Sequence, residues 1–146
     1  AVLCVVVVAG PITVFADTHV NMGFGAGDGG QVFWPFLIGV NRAKYYLMTG
    51  DRITGKEALE MGLANFYVDE TEAVLPKALE IAERLAAGAP KAITASKMAV
   101  NAYLRSVSSM IMPICLKYEE VTMASEDHRE AVTAFQEKRQ PKFTGK

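Results

Sequence analysis

Short apolar runs broken by glycine open the chain, and amphipathic helical spacing takes over after residue 40. Residues 5–8 are a run of four valines closed by Ala9-Gly10-Pro11, which predicts a buried strand ending in a turn. Residues 13–16 predict a second short strand. The stretch Gly23-Phe24-Gly25-Ala26-Gly27-Asp28-Gly29-Gly30 holds five glycines and one acid, a loop whose backbone can approach a ligand closely. It runs into Gln31, Val32, Phe33 and Trp34, the expected first turn of a helix with Pro35 near its start. Residues 40–48 predict a helix stopped by Gly50. Thr54 followed three residues later by Glu57 is a capping box for a helix through Met61, and Gly62 ends it. Residues 65–68 predict a short strand. Residues 73–87 carry Leu75, Leu79, Ala82 and Leu85/Ala86 on one helical stripe, with Pro76 marking the helix start or a bend. Residues 92–104, 106–125 (interrupted by Pro113) and 126–138 predict three further helices.

The fold class that follows is α/β, with strands first and a run of helices after. The strands are too few to make a stable sheet alone. A start inside a hydrophobic run is unusual for a natural terminus. Together these observations lead us to expect a truncated chain, with further strands upstream. Half of the residues (51%) are apolar, sufficient for a core. Fifteen Lys and Arg against sixteen Asp and Glu leave a net charge of −1, so no overall field is available to hold a nucleic acid. The nearest basic run, Lys138-Arg139-Gln140-Pro141-Lys142, reads as a solvated tail. The apolar residues 1–9 are too few to span a bilayer, which takes about 20, and lack the flanks of a signal peptide; no membrane span is expected. Cys4 and Cys115 lie in apolar surroundings without CxxC spacing, which predicts buried, reduced thiols; no metal-ligand spacing is present. Met98, Met110, Met112 and Met123 read as helix packing, and His128 as exposed.

Three segments, in order, carry a resemblance. The first is Phe15-Ala16-Asp17-Thr18-His19-Val20-Asn21-Met22-Gly23 with the glycine loop that follows. It is similar to Phe-Gly-x-Pro-Glu-x-x-x-Gly followed by Pro-Gly-Ala-Gly-Gly-Thr. The second is Ala43-Lys44-Tyr45-Tyr46-Leu47-Met48-Thr49-Gly50, continued by Ala58-Leu59-Glu60-Met61-Gly62-Leu63-Ala64-Asn65. The third is Ser125-Glu126-Asp127, then Ala134-Phe135-x-Glu137-Lys138-Arg139-x-Pro141-x-Phe143. These resemble signatures of the enoyl-CoA hydratase/isomerase (crotonase) family. The resemblance implies that residues 1–90 are the C-terminal part of a ββα spiral. Residues 91–146 would be a helical region that covers the active site and forms trimers or hexamers. It implies an acyl-CoA substrate, coenzyme A being part of that substrate and no separate cofactor being needed. The family's oxyanion-hole donors and first catalytic carboxylate would lie upstream of Ala1.

His19 stands where the family's second carboxylate is expected. It is either the acid-base group or a pocket wall residue, since an imidazole titrates near neutrality. Asp28 in the glycine loop is the other catalytic candidate, or else a cap for the helix that follows. Asp17, two residues before His19, either orients it or is a surface residue. By resemblance, Phe135 lies in the helix that borders the acyl pocket and Lys138 approaches a CoA phosphate; Gly27 in the glycine loop is a further substrate-binding candidate, and Phe33 and Trp34, which follow the loop, could line an acyl pocket. The aromatics as core and Lys138 as a solvated charge are the plainer alternatives. The function this implies is hydration of a 2-enoyl-CoA through a stabilised enolate. Enoyl-CoA isomerisation, or an inactive oligomerisation module, is the alternative. A cytoplasmic location is expected, or an organelle matrix if a targeting signal lies upstream.

Overall fold

A computed structural model describes residues 3–146. The chain forms two compact units, each assembled from two stretches: residues up to Phe15 with Ile53–Val107, and Ala16–Arg52 with Ser108–Lys146. The units therefore cut the sequence differently from the consecutive stretches 1–90 and 91–146.

In the first unit, β1 (Val8–Ala9) pairs in parallel with β4 (Phe66–Tyr67), and β2 (Val14–Phe15) pairs antiparallel with β3 (Ile53–Thr54). Val8 faces Phe66 and Val14 faces Thr54 in register. The strand expected over residues 5–8 is thus shorter and displaced toward the turn. The cause is its partner: β4 is two residues long, and the Asn65 side chain, not a strand, takes the Val7 N–H at 2.8 Å. A turn closed by the Thr13 N–H on the Gly10 carbonyl links β1 to β2. Helix α3 (Gly55–Met61) packs directly on that turn; a Cβ at Gly55 would sit 2.6 Å from the Gly10 oxygen. Its capping box forms as predicted: Thr54 Oγ1 accepts from the Glu57 N–H, and a Glu57 carboxylate oxygen accepts from the Thr54 N–H at 2.8 Å. Ala9, Ile53 and Ala58 are fully buried around this junction. Helix α4 (Val74–Ala86) carries Pro76 as its third residue, where a backbone N–H has no intrahelical acceptor to lose. Its apolar stripe is helical as predicted, but Leu75, Leu79 and Leu85 are exposed, and Leu75 and Leu85 edge an apolar groove with Val5, Val8 and Ile12.

Helix α5 (Pro90–Met123) is one continuous helix of 34 residues. The two helices expected over 92–104 and 106–125 are one because nothing near Ser106 breaks a helix. Pro113 removes a single N–H donor, which so long a helix absorbs. Residues 90–107 belong to the first unit and 108–123 to the second. By length and composition alone α5 would suffice to cross a membrane. Cys115 is buried on α5, whereas Met98, Met110 and Met123 are exposed, contrary to the packing role expected of them. Cys4 is exposed as well, since the apolar run around it has no strand covering it among the described residues.

The second unit contains α1 (Gly30–Ile38), α2 (Val40–Thr49) and α6 (Glu126–Gln136). Pro35 falls at the sixth position of α1, deeper than expected. Gly50 ends α2 in the left-handed region at φ 70°, as predicted. Ser125 caps α6, accepting from the His128 N–H at 3.1 Å. The end of α6 is a Schellman turn: the Arg139 N–H donates to the Ala134 carbonyl and the Lys138 N–H to the Phe135 carbonyl. Lys138 occupies the position that usually takes glycine, at φ 54°. The tail then folds back. Asp127 accepts from the Thr144 and Gly145 N–H groups, and Glu130 accepts from Arg139 and from the Lys142 N–H.

The Arg139 guanidinium, seconded by the Lys142 N–H, holds the Glu130 carboxyl down at about 2, against an ordinary 4.5. A carboxyl lowered on folding stabilises the folded state above its unfolded value, and that contribution is lost as pH falls. We therefore expect the urea midpoint to drop between pH 4.5 and about 2. Glu130→Gln should flatten that segment of the profile; an unchanged slope would show that the latch does not contribute.

Candidate active site

β2 delivers the chain to Asp17, and a 3₁₀ turn, His19–Met22, follows. Gly23 closes the turn at φ 74°, and a Cβ there would lie 2.8 Å from the Asp127 carbonyl oxygen, so both conformation and space demand glycine. Strand alternation was the expected reason for Asp17 and His19 to share a side. The turn achieves it instead: His19 Nδ1 lies 2.6 Å from Asp17 Oδ1. Asp17 is buried, at 8% exposure, and not a surface residue; it is the buried charged side chain among the described residues. Gly30, the first residue of α1, makes room for it, since a Cβ at Gly30 would come within 2.0 Å of Asp17 Oδ2.

Asp28 sits on the other side of the imidazole, with Oδ2 3.6 Å from His19 Nε2, and is largely exposed (67%). It does not cap α1. The N-cap is Gly29, which makes no side-chain cap bond, and the first turn contains no acid. Phe24 packs edge-on against His19 at 5.1 Å and against His128, also at 5.1 Å. His128 is half-buried, not exposed as expected, and its Nδ1–H donates to the Met22 carbonyl at 2.7 Å. The glycine loop is pinned by the Gly25 N–H, which donates to Thr122 Oγ1 at 3.0 Å.

The structure thus brings His19, Asp28 and Asp17 together. Gly27 is in the same loop, with the Glu119 side chain over its Cα; a Cβ at Gly27 would meet Glu119 Oε2 at 2.3 Å. Trp34 is buried in α1, a core position. Phe135 is 75% exposed near the end of α6, and Lys138 follows three residues later in the left-handed turn. Glu119 and Thr122 were not singled out from the sequence. Their spacing of three places them on one face of α5, but nothing local says that this face meets the glycine loop.

Chemically, the arrangement is an imidazole flanked by two carboxylates, a constellation able to accept a proton and return it. One donor atom from each of Asp17, His19 and Asp28 lies within 4.8 Å of the others, a donor set that could hold a cation, although no metal-ligand spacing is visible in the sequence. As placed, the two carboxylates address opposite nitrogens of one ring, and the Asp17 contact has hydrogen-bond length, so a shared ion would require that bond to break.

Short paired strands, a glycine loop opening a helix and a helical C-terminal region define the crotonase type of α/β fold. A superposition on the crystal structure of carnitinyl-CoA hydratase from Mycobacterium avium gives a TM-score of 0.90 at 28% identity, covering 99% of this chain and 56% of that one. The chain belongs to the enoyl-CoA hydratase/isomerase family, whose sequence model matches residues 1–146. Crotonyl-CoA hydratase of Syntrophomonas wolfei is 34% identical over 132 residues, covering 90% of this chain and 50% of that protein. The enoyl-CoA isomerase/hydratase fer4 of Mycosarcoma maydis is 34% identical over 128 residues, covering 88% and 46%. The chain spans about half the length of the curated relatives it matches.

Proposed function

We propose that this chain belongs to an enzyme that hydrates a 2-enoyl-CoA thioester, with His19 as its proton carrier. The observation that carries the reading is the imidazole held by a buried carboxylate beside the glycine loop, with a second carboxylate 3.6 Å from its free nitrogen. Addition of water to C3 of an enoyl thioester drives electrons onto the thioester oxygen. The resulting enolate then takes a proton at C2. Fixed backbone donors stabilise that oxygen; by resemblance they lie in family sequence preceding the part matched here. His19 Nε2 would accept the proton of the attacking water and return it to C2, and Asp28 would hold the charged imidazolium.

Gly27 would let the loop approach the thioester, with Trp34 backing the acyl pocket from the core. Phe135 would reach the acyl chain from α6, and Lys138 a CoA phosphate. No cofactor beyond the CoA of the substrate is invoked. The exposed Met110, Ile114, Tyr118 and Val121 on α5 fit burial in a trimer or hexamer. The proposed location is the cytoplasm, or an organelle matrix. One observation favours isomerisation as a second reading: the residue at the family's second carboxylate position is an imidazole, so a single carrier could move a proton between C2 and C4 of a 3-enoyl thioester.

The test is turnover. Hydration of crotonyl-CoA removes the conjugated thioester absorbance, and isomerisation of a 3-enoyl-CoA creates it. Measured on a protein that includes the family's oxyanion-hole sequence, loss with the first substrate supports hydration, gain with the second supports isomerisation, and no change with either would overturn both.

A prediction attaches to Lys138. A non-glycine residue in the left-handed region costs about 1–2 kcal/mol, partly offset by the entropy glycine loses on folding. Lys138→Gly should therefore raise stability by about 1 kcal/mol in urea unfolding while weakening CoA binding several-fold in a calorimetric titration. Unchanged CoA affinity would remove Lys138 from the site.

A further inference from the structure

Asp17 is buried, ionisable and absent from the proton-transfer steps above. A carboxylate is expensive to bury unless it is paired, and here the partner is His19 Nδ1 at 2.6 Å. An ionised carboxylate can only accept a hydrogen bond, so the proton between them resides on Nδ1. That leaves Nε2 with its lone pair free, and Asp28, at 3.6 Å, lies beyond hydrogen-bond reach of it. The space for this arrangement is built into the backbone, because Gly30 has no side chain where Asp17 Oδ2 lies.

We propose that Asp17 is a positioning residue that locks His19 in the Nδ1–H form and so makes Nε2 the atom that exchanges protons with substrate. The inference rests on the acid-base role proposed for His19, but the tautomer can be read without turnover. The chain has two histidines, His19 and His128. His128 Nδ1 faces a carbonyl oxygen, which also only accepts, so its Nδ1–H form serves as an internal reference independent of Asp17.

Long-range ¹H–¹⁵N correlation spectra of the labelled protein at about pH 8, where an ordinary imidazole is neutral, would assign both tautomers. The expected result is Nδ1–H for both histidines in the wild type. In Asp17→Asn, His19 should change to Nε2–H or to a mixture while His128 is unchanged, and kcat on the enoyl-CoA should fall at least about 10-fold with little change in KM. A wild-type His19 protonated on Nε2 would overturn the proposal, and this holds even if Asp17→Asn does not fold. An Asp17→Asn protein with the same tautomer and the same kcat would overturn it too. A tautomer change in a protein without enoyl-CoA turnover would support the hold of Asp17 on His19 and refute only the hydratase and isomerase readings.

Discussion

His19→Gln is expected to lower enoyl-CoA turnover by about 10²- to 10⁴-fold, the usual contribution of a positioned acid-base group, with little change in folding. Glutamine has comparable reach and can donate to Asp17, so the buried carboxylate keeps a partner and is not left unpaired. It cannot take up a proton, so the chemical step loses its carrier. The substitution does give up the edge-on contact of the His19 ring with Phe24, so folding is checked beside activity. The measurement is kcat by thioester absorbance, alongside the His128 resonance as a check that the Met22 turn is intact. Turnover within about twofold of wild type would make His19 a wall residue. Asp28→Asn should cost less, because at 3.6 Å its carboxylate acts through charge and not through a hydrogen bond.

Gly30→Ala should destabilise the protein by about 1–3 kcal/mol, the range typical of overpacking, against the usual trend for such a change. Alanine inside a helix normally gains about 1 kcal/mol over glycine. Here the new methyl would fall 2.0 Å from Asp17 Oδ2 and 3.1 Å from Leu47 Cδ2. Leu47 can give way slightly, but the carboxylate contact is not tolerable, so Asp17 must leave and His19 loses its acceptor. The clash is the larger effect, and a double-mutant cycle isolates it. In an Asp17→Ala background the methyl meets no carboxylate, and Gly30→Ala should become neutral or stabilising in urea unfolding. An equal loss in both backgrounds would show that the close approach of Gly30 and Asp17 is not what selects glycine.

Local chemistry was legible wherever its cause lay within a few residues. Thr54 and Glu57 announce the start of α3, Gly50 and Gly62 the ends of α2 and α3, and Pro76 the beginning of α4, because caps and stops act over one turn. Family membership was equally legible, since ordered motifs survive without any knowledge of their contacts. The site was half legible. His19 and Asp28 could be named from the motif they interrupt, but the burial of Asp17 depends on α1 beginning with a residue that has no side chain.

By itself, the sequence determined most of the helical segments, the capping box of α3, the family to which the chain belongs and which titratable residues stand in the motif positions. Only the tertiary structure decided that Asp17 is buried against His19, that Asp28 caps nothing, and that α5 pins the glycine loop through Thr122, a bond between residues 97 apart in the chain. It also decided that the stripe of α4 and Met98, Met110 and Met123 of α5 face outward. The physical reason is range. An apolar stripe or a lone acid records that a residue needs an environment, and which environment it receives is set by the chain segments that pack there.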